Sequence, residues 1–495
     1  MNITGNDWIA VLPALALVAG AMAAAVLGRG RRRDASAPEP MSLPLEGVAC
    51  AALGISLAIV VLRLRRGMPA VEGFGRAVGL DDFSLLLSLA ILSATALMIL
   101  LSADYVKERG IPAGEYVALA LLAAAGMVLL VQSLDLATFF VSLEVLSLCV
   151  YALAGILRGE PRSNEAAIKY FVTGAFASGF LLYGMALLYG ATGSLSIREI
   201  GATLQASPPG LLSPATLGMA LVAVGLSFKV GAVPFHMWVP DVYEGAPAPV
   251  TAFMSVAVKA SAFGGFLRLL LAAGPAQPVW GELLAGVALA TMIAGNLLAL
   301  WQRSVKRMLA YSSVAHAGYV LVALASLPGG ADRVQPAASA LFYLFAYTFM
   351  TLGAFAFLVW MGREGKEAED VDSFAGLARR RPWAAAAMTL LLVSLGGIPP
   401  TAGFFAKFWV FKAAIGAGQY LLVVAGVATT ALSLCYYLRV VVSMLMKPPG
   451  EGAGERVSAN AGFVVSIAAA ATLLLGLWPS RFLDLSIRSI ERLLR

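Results

Sequence analysis

Charge is scarce in this sequence. Only 13% of its 495 residues are Asp, Glu, Lys or Arg, while 60% are hydrophobic and the mean hydropathy is +0.84. Water-soluble domains carry roughly 25% charged residues. Half that share cannot coat a soluble fold of this size, so a membrane bundle is expected. Cysteine is scarce too: Cys50, Cys149 and Cys435 stand singly in apolar runs, which excludes a disulfide framework or a CxxC metal site. With two histidines, His236 and His316, a transition-metal or haem site is not expected. There is no P-loop and no nucleotide or flavin motif. Gly73-Phe-Gly75 with Gly79 looks like a piece of a dinucleotide loop, but no strand is expected before it, and it reads as a turn. The net charge of +7 lies mostly in short loops, where it is a topology signal and not a nucleic-acid patch.

What is abundant is long apolar sequence. Runs of about 20 residues, the length that crosses a ~30 Å hydrocarbon core, recur about fourteen times. They fall near 8–27, 43–62, 83–101, 115–131, 136–157, 166–192, 213–232, 247–273, 279–300, 308–327, 336–361, 384–415, 419–445 and 459–478. The expected fold is an all-α polytopic membrane protein. The first run is a membrane helix and not a signal peptide, because its positive charges (Arg29, Arg31, Arg32, Arg33) follow the apolar core. Basic residues also cluster after spans three, five, nine and eleven (Lys107, Arg109; Arg158, Arg162; Arg303, Lys306, Arg307; Arg379 to Arg381), whereas the alternate loops are nearly uncharged. That bias puts both termini on the outer side of the membrane, although Arg63, Arg65 and Arg66 run against it. Residues 481–495 alternate Arg481, Arg488, Arg492 and Arg495 with apolar positions, as a short interfacial helix does.

Two spans are interrupted. The seventh runs into Gly231-Ala-Val-Pro234, and the twelfth, over 30 residues long, contains Gly396-Gly-Ile-Pro-Pro400. Such sequences break the helical hydrogen-bond ladder. Breaks at matching places in two halves point to a pathway near the midplane of inverted repeats. The halves would be 115–273 and 279–445, five helices each with the fourth broken.

Ionisable residues inside these spans are the candidates for chemistry, because a charge at a span centre costs about 2.5–3.5 kcal/mol on insertion scales. Glu144 lies roughly 12 Å into span five at 1.5 Å per residue, too deep for a short side chain to reach the interface. Lys259 sits mid-span among small residues, Lys229 immediately precedes the first break, and Lys407 follows the second. Carbonyls freed at a break, and water there, could accommodate Lys229. His316 lies beside Ser312, Ser313 and Tyr319, and His236 follows Pro234, from where it could bridge Lys229 and Lys259 through water. Lys169 stands at the start of span six, where a functional and an interfacial reading balance. Arg268, Arg439 and Lys412 read as interface anchors. Burial favours the neutral form of a lysine and a nearby carboxylate favours the charged one. A row of such groups therefore suits proton transfer, with structural ion pairs that lock helices together as the competing reading.

Three stretches carry a family resemblance: DLATFFVSLE (135–144) with Tyr151, KVGAVPFHMWVPDVYEGAPAPVT (229–251) and KRMLAYSSVAH (306–316). They resemble the antiporter-like subunits of respiratory NADH:quinone oxidoreductase, complex I, shared with multisubunit cation/proton antiporters. The resemblance runs from about span three to span thirteen. Within the family, GIPPTAGFFAKF (397–408) is most similar to chain N: chain M would place a Glu at Lys407, and chain L would continue into a long lateral helix.

The resemblance implies that Glu144 and Lys229 form a charge-switching pair, Lys259 a central relay and Lys407 the second-half lysine, with His236 and His316 on a hydrated axis between them. It implies no cofactor on this chain, with FMN, iron–sulfur clusters and quinone in partner subunits. The implied partners are the other membrane-arm subunits, chains K and M and their neighbours, together with protons and the lipid bilayer, and no nucleic acid. The motifs alone leave open a subunit of a multisubunit sodium/proton antiporter or of a membrane-bound hydrogenase.

Overall fold

The computed structural model describes residues 3–29, 43–273, 278–327, 332–362, 367–448 and 458–494. Arg31, Arg32, Arg33 and Arg495 lie outside the described residues. Helices α1 (Gly5–Arg29) and α2 (Leu43–Arg66) lead into a two-stranded antiparallel hairpin, β1 (Val71–Gly73) and β2 (Val78–Leu80). The Gly73–Gly79 stretch is thus a turn, as its residues suggest, with Phe74, Gly75 and Arg76 at positive φ. The expectation that no strand precedes it is corrected by β1: Asp7 of α1 accepts a hydrogen bond from Phe74 N–H and fixes the hairpin against the first helix.

The chain continues through α3 (Asp82–Glu108), α4 (Ala113–Gln132), α5 (Leu136–Ala154) and α6 (Pro161–Thr192), then α7 (Ile197–Ala206). The sequence reading has no counterpart for α7, a ten-residue amphipathic helix burying Ile197, Ile200, Gly201 and Leu204 on one face. Next come α8 (Pro214–Val230), α9 (Trp238–Gly245), α10 (Ala248–Phe253), a π turn (Met254–Val258) and α11 (Lys259–Ala273). The second half holds α12 (Pro278–Leu300), α13 (Val305–Ala325), α14 (Val334–Trp360), a 3-10 turn (Val371–Phe374), α15 (Leu377–Arg380), α16 (Pro382–Gly396), α17 (Ala402–Gly416), α18 (Tyr420–Met446) and α19 (Ala459–Leu477).

Among the described residues, twelve helices are long and apolar enough to cross a membrane on their own. The seventh span holds α8 alone, followed after its break by the short α9, and the twelfth is built of two shorter pieces, α16 and α17. Both breaks have one local cause. A glycine in the left-handed region, Gly231 (φ 75°) and Gly397 (φ 84°), ends each first piece. The next two amides then bond back to the last turn: Gly231 N–H to Phe228 O and Ala232 N–H to Ser227 O, and likewise Gly397 N–H to Ser394 O and Ile398 N–H to Val393 O. This is the Schellman arrangement, which closes each first piece by satisfying two of its last carbonyls.

Close helix contacts rest on small residues. A Cβ added to Gly184 would stand 2.6 Å from Gly218 O, so α6 and α8 approach to backbone contact only because both positions are glycine. The apolar windows of Ala248–Ala272 and Val305–Ala325 are buried throughout, whereas those of α1, α2, α6 and α18 face outward over most of their surface. The π turn and α13 therefore lie at the centre of the bundle. The last helix, α20 (Pro479–Leu494), is amphipathic as expected. It folds back on the bundle, with Phe482 stacked on Phe345 at 3.9 Å between ring centroids and Arg492 paired with Asp82.

Candidate functional site

Three lysines end inside the bundle: Lys229, Lys259 and Lys407 are 3%, 2% and 4% exposed. Among the described residues none has a carboxylate within ion-pair distance, and each amine meets neutral oxygen. Lys229 Nζ donates to Ser147 Oγ at 2.7 Å and stands over the rings of Tyr151 and Tyr170 at 5.2 and 5.3 Å. Lys259 Nζ donates to Ser313 O at 2.6 Å and also to Ser313 Oγ. Lys407 Nζ turns back across the second break to Leu395 O at 3.1 Å and Gly396 O at 3.4 Å, above the Tyr319 ring at 4.7 Å. Freed carbonyls at a break thus accommodate Lys407, and the hydroxyl of Ser147 does so for Lys229. Lys259 still borders the first break, because a Cβ on Gly231 would lie 3.9 Å from its amine.

Glu144 sits one turn before Ser147 on α5. It is half-buried, and its Oε1 accepts a hydrogen bond from Ser178 Oγ on α6. The start of α5 is held by Asp135, which accepts from the N–H groups of Ala137 and Thr138. Glu144 is thus brought near Lys229 through Ser147 but is not hydrogen-bonded to it.

His316 is 3% exposed and lies between Lys259 and Lys407 in a polar aromatic cluster. Its Nδ1 pairs with Tyr343 OH at 2.6 Å and its Nε2 with Tyr437 OH at 3.3 Å, and its ring lies 5.7 Å from that of Tyr319. Tyr437 OH also pairs with Ser312 Oγ, next in the chain to the Ser313 that binds Lys259. Hydroxyl, imidazole and aromatic groups therefore run from Lys259 to Lys407. Tyr319 is held in turn by Asn296 and Thr429. His236 is 9% exposed with Nδ1 unpartnered, and no hydrogen bond connects it to either neighbouring lysine.

The other sequence candidates separate. Lys169 pairs with Glu165 at 2.6 Å and Asp241 at 2.8 Å. Lys412 is exposed, with its amine 4.9 Å from the Trp409 ring centroid, which suits an interface anchor. Arg439 binds the carbonyls of Leu300 and Gln302 at the end of α12. Arg268 does not anchor to the interface: it is 4% exposed, binds Asp81 through both terminal nitrogens and donates to Val131 O. An arginine near a helix end reads as an anchor, but the bundle supplies a carboxylate from the α3 cap, and a bidentate pair replaces the headgroup.

Ser147, Ser313, Tyr437 and Tyr343 have no place among the sequence candidates. Ser147 could have been found, since it lies three residues from Glu144 on the same helix face. A further group also appears only in the fold. On the face of the basic loops, a cavity of ≈ 450 Å³ is lined in part by Tyr105, Glu244, Lys306, Glu367 and Glu369. There Lys306, 2% exposed, pairs with Glu367, 7% exposed. Burial pushes the Glu367 carboxyl up, but Lys306, the Ala248 N–H and the Tyr105 hydroxyl together hold the group below the usual glutamate range. Burial raises Glu369.

Buried, unpaired amines beside two helix breaks, in a bundle of apolar spans, define the class of antiporter-like membrane subunits. Residues 133–433 match the family described as NADH:quinone oxidoreductase/Mrp antiporter, TM. The chain is 45% identical over 440 residues to NADH-quinone oxidoreductase subunit N 1 of Sorangium cellulosum, covering 86% of each protein. It is 34% identical, with a TM-score of 0.79, to a chain of respiratory complex I from Thermus thermophilus, covering 95% of this chain and 98% of that one. A chain of the Mrp complex from Dietzia sp. DQ12-45-1b shares the fold at a TM-score of 0.84 and 24% identity over 99% of this chain and 98% of that one. The chain belongs to the family of NADH-quinone oxidoreductase subunit N.

Proposed function

We propose that this chain is a proton-translocating membrane subunit of NADH:quinone oxidoreductase, in which Glu144, Lys229, Lys259 and Lys407 hold and pass protons while His236 and His316 act as relay positions. The observation that carries the proposal is the set of three buried amines bonded only to neutral oxygens. An ammonium group out of water is stable only with good compensation. Without a paired carboxylate, its charge depends on what approaches it. Glu144 is the acid nearest in sequence to the Lys229 partner Ser147 and serves as the approaching charge. Lys259 passes the proton towards Lys407 by way of Ser313, Ser312, Tyr437 and His316.

The subunit itself performs no redox step. FMN, iron–sulfur clusters and quinone belong to partner subunits, and chains K and M flank this one in the membrane arm. The membrane is the bacterial inner membrane, with both termini periplasmic and the basic loops cytoplasmic. Residues 115–273 and 279–445 form two inverted five-helix repeats, a reading supported by the identical glycine-capped breaks. The test is Lys259→Met in the assembled complex, in inverted membrane vesicles. NADH-driven proton uptake per NADH oxidised should fall sharply with the complex assembled; unchanged uptake would leave the lysine a structural role only.

A further inference from the structure

The segment after α14 belongs to the second half of the chain, yet its Glu367 reaches into the first half. Glu367 Oε1 accepts from Tyr105 OH at 2.8 Å and from Ala248 N–H at 2.7 Å, and Oε2 pairs with Lys306. Lys306 donates as well to Ala246 O at 2.8 Å. One carboxylate therefore ties together the end of α3, the first residue of α10 and the first turn of α13. The same segment is bound along its length: Val305 N–H donates to Glu369 O at 2.6 Å and Val371 N–H to Arg303 O at 3.4 Å.

Two of the three helices tied at Glu367, the one that begins at Ala248 and α13, meet again at Lys259. Ala248 lies eleven residues before Lys259 and Lys306 seven residues before Ser313, in each case two to three helical turns. Between Ala248 and Lys259 lies the π turn Met254–Val258. A π turn holds one residue more than an α turn, and relaxing it would rotate Lys259 by about 100° around the helix axis and away from Ser313. The wide turn can keep Lys259 on Ser313 only if the helix is held on both sides of it.

We propose that Glu367, seated on Lys306, Tyr105 and Ala248, is a positioning residue that sets the register of the Lys259 helix against α13 and so holds the Lys259 amine on Ser313. The inference rests on the proton-carrying role proposed for Lys259. It assigns a coupling role to a buried acid outside the membrane spans, contributed by the other half of the chain.

The test is a double-mutant cycle in the assembled complex in inverted vesicles, reading protons taken up per NADH oxidised and normalised to assembled enzyme. Glu367→Gln removes the charge and sets an amide against Lys306, while Ser313→Ala removes the Lys259 hydroxyl partner. If Glu367 acts through the Lys259–Ser313 contact, each single variant lowers the ratio at least threefold and the double variant is no worse than the poorer single one. Glu367→Asp, which keeps the charge, restores part of the ratio. Losses that multiply, or a normal ratio in Glu367→Gln with only less assembled complex, overturn the proposal. Where Glu367→Gln does not assemble, Tyr105→Phe combined with Ser313→Ala decides by the same criterion. Lys259→Met separates the two readings: a normal ratio there removes the role of Lys259, whereas a lost ratio with Glu367→Gln unaffected removes only the register pin.

Discussion

The Lys229 amine and the Glu144 carboxylate do not touch: Lys229 donates to Ser147 Oγ at 2.7 Å, and Glu144, three residues earlier on α5, is held by Ser178. Serine thus stands where the acid would arrive. Glu144→Gln should slow proton transfer by about 10²-fold, the scale of losing one proton-transfer group. The measurement is proton uptake in vesicles at matched NADH oxidation, and a full rate would remove Glu144 from the path.

Tyr437→Phe deletes a hydroxyl that meets both Ser312 and His316. Pumping should drop while the complex assembles normally, because a single neutral hydrogen bond contributes only about 0.5–1.5 kcal/mol to stability. His316→Gln should resemble it. A comparison of the two variants with their double decides whether they serve one link: equal deficits in all three are expected.

Arg268 and Asp81 make the opposite case. Breaking a buried pair by removing one partner costs about 3–5 kcal/mol, so Arg268→Leu should reduce the amount of assembled complex on native gels. Adding Asp81→Leu should recover part of the assembly, since no buried charge is then left alone.

For pH, the sign follows from Glu367. Its carboxyl is held below the usual range despite burial, because Lys306 favours the charged form. The stabilisation is therefore fully present above the ordinary glutamate pKa of about 4.3 and disappears as pH falls through the lower folded value. Dissociation of the detergent-solubilised complex, followed from pH 7 to pH 3, should show Glu367→Gln weaker at neutral pH and converging on the unmodified protein at the acid end.

Lys412→Met provides the contrast. Its amine is exposed over Trp409, and substitution should leave the proton-to-electron ratio within error. A twofold or larger fall would place Lys412 on the path after all.

Much of this fold could be read from hydropathy and from two glycine–proline clusters. Apolar length gives the number of spans, and Gly231 and Gly397 mark where the helices stop because left-handed backbone suits glycine. The depth of Lys259 and Lys407 along their helices was legible for the same reason. What a helix buries around its circumference was not. Arg268 and Arg439 look alike in sequence, yet one meets Asp81 in the interior and the other caps α12 at the surface. Ser313 and Ser147 are ordinary small helix residues until an amine from a distant span reaches them. Glu367 has no place among the sequence candidates, and only the packing of α3, α10 and α13 encloses it.

Arg268 also bears on how span eight can move. Its bond to Asp81 and Val131 fastens the far end of that span to α3 and α4, as Glu367 fastens the near end at Ala248. A rod clamped at both ends can neither slide nor tilt as a whole; it can only flex between the clamps. Between the clamps lies the wide turn at Met254–Val258, and the first residue beyond it is Lys259. Mechanical freedom in this span is then concentrated beside Lys259, the residue proposed to exchange its proton.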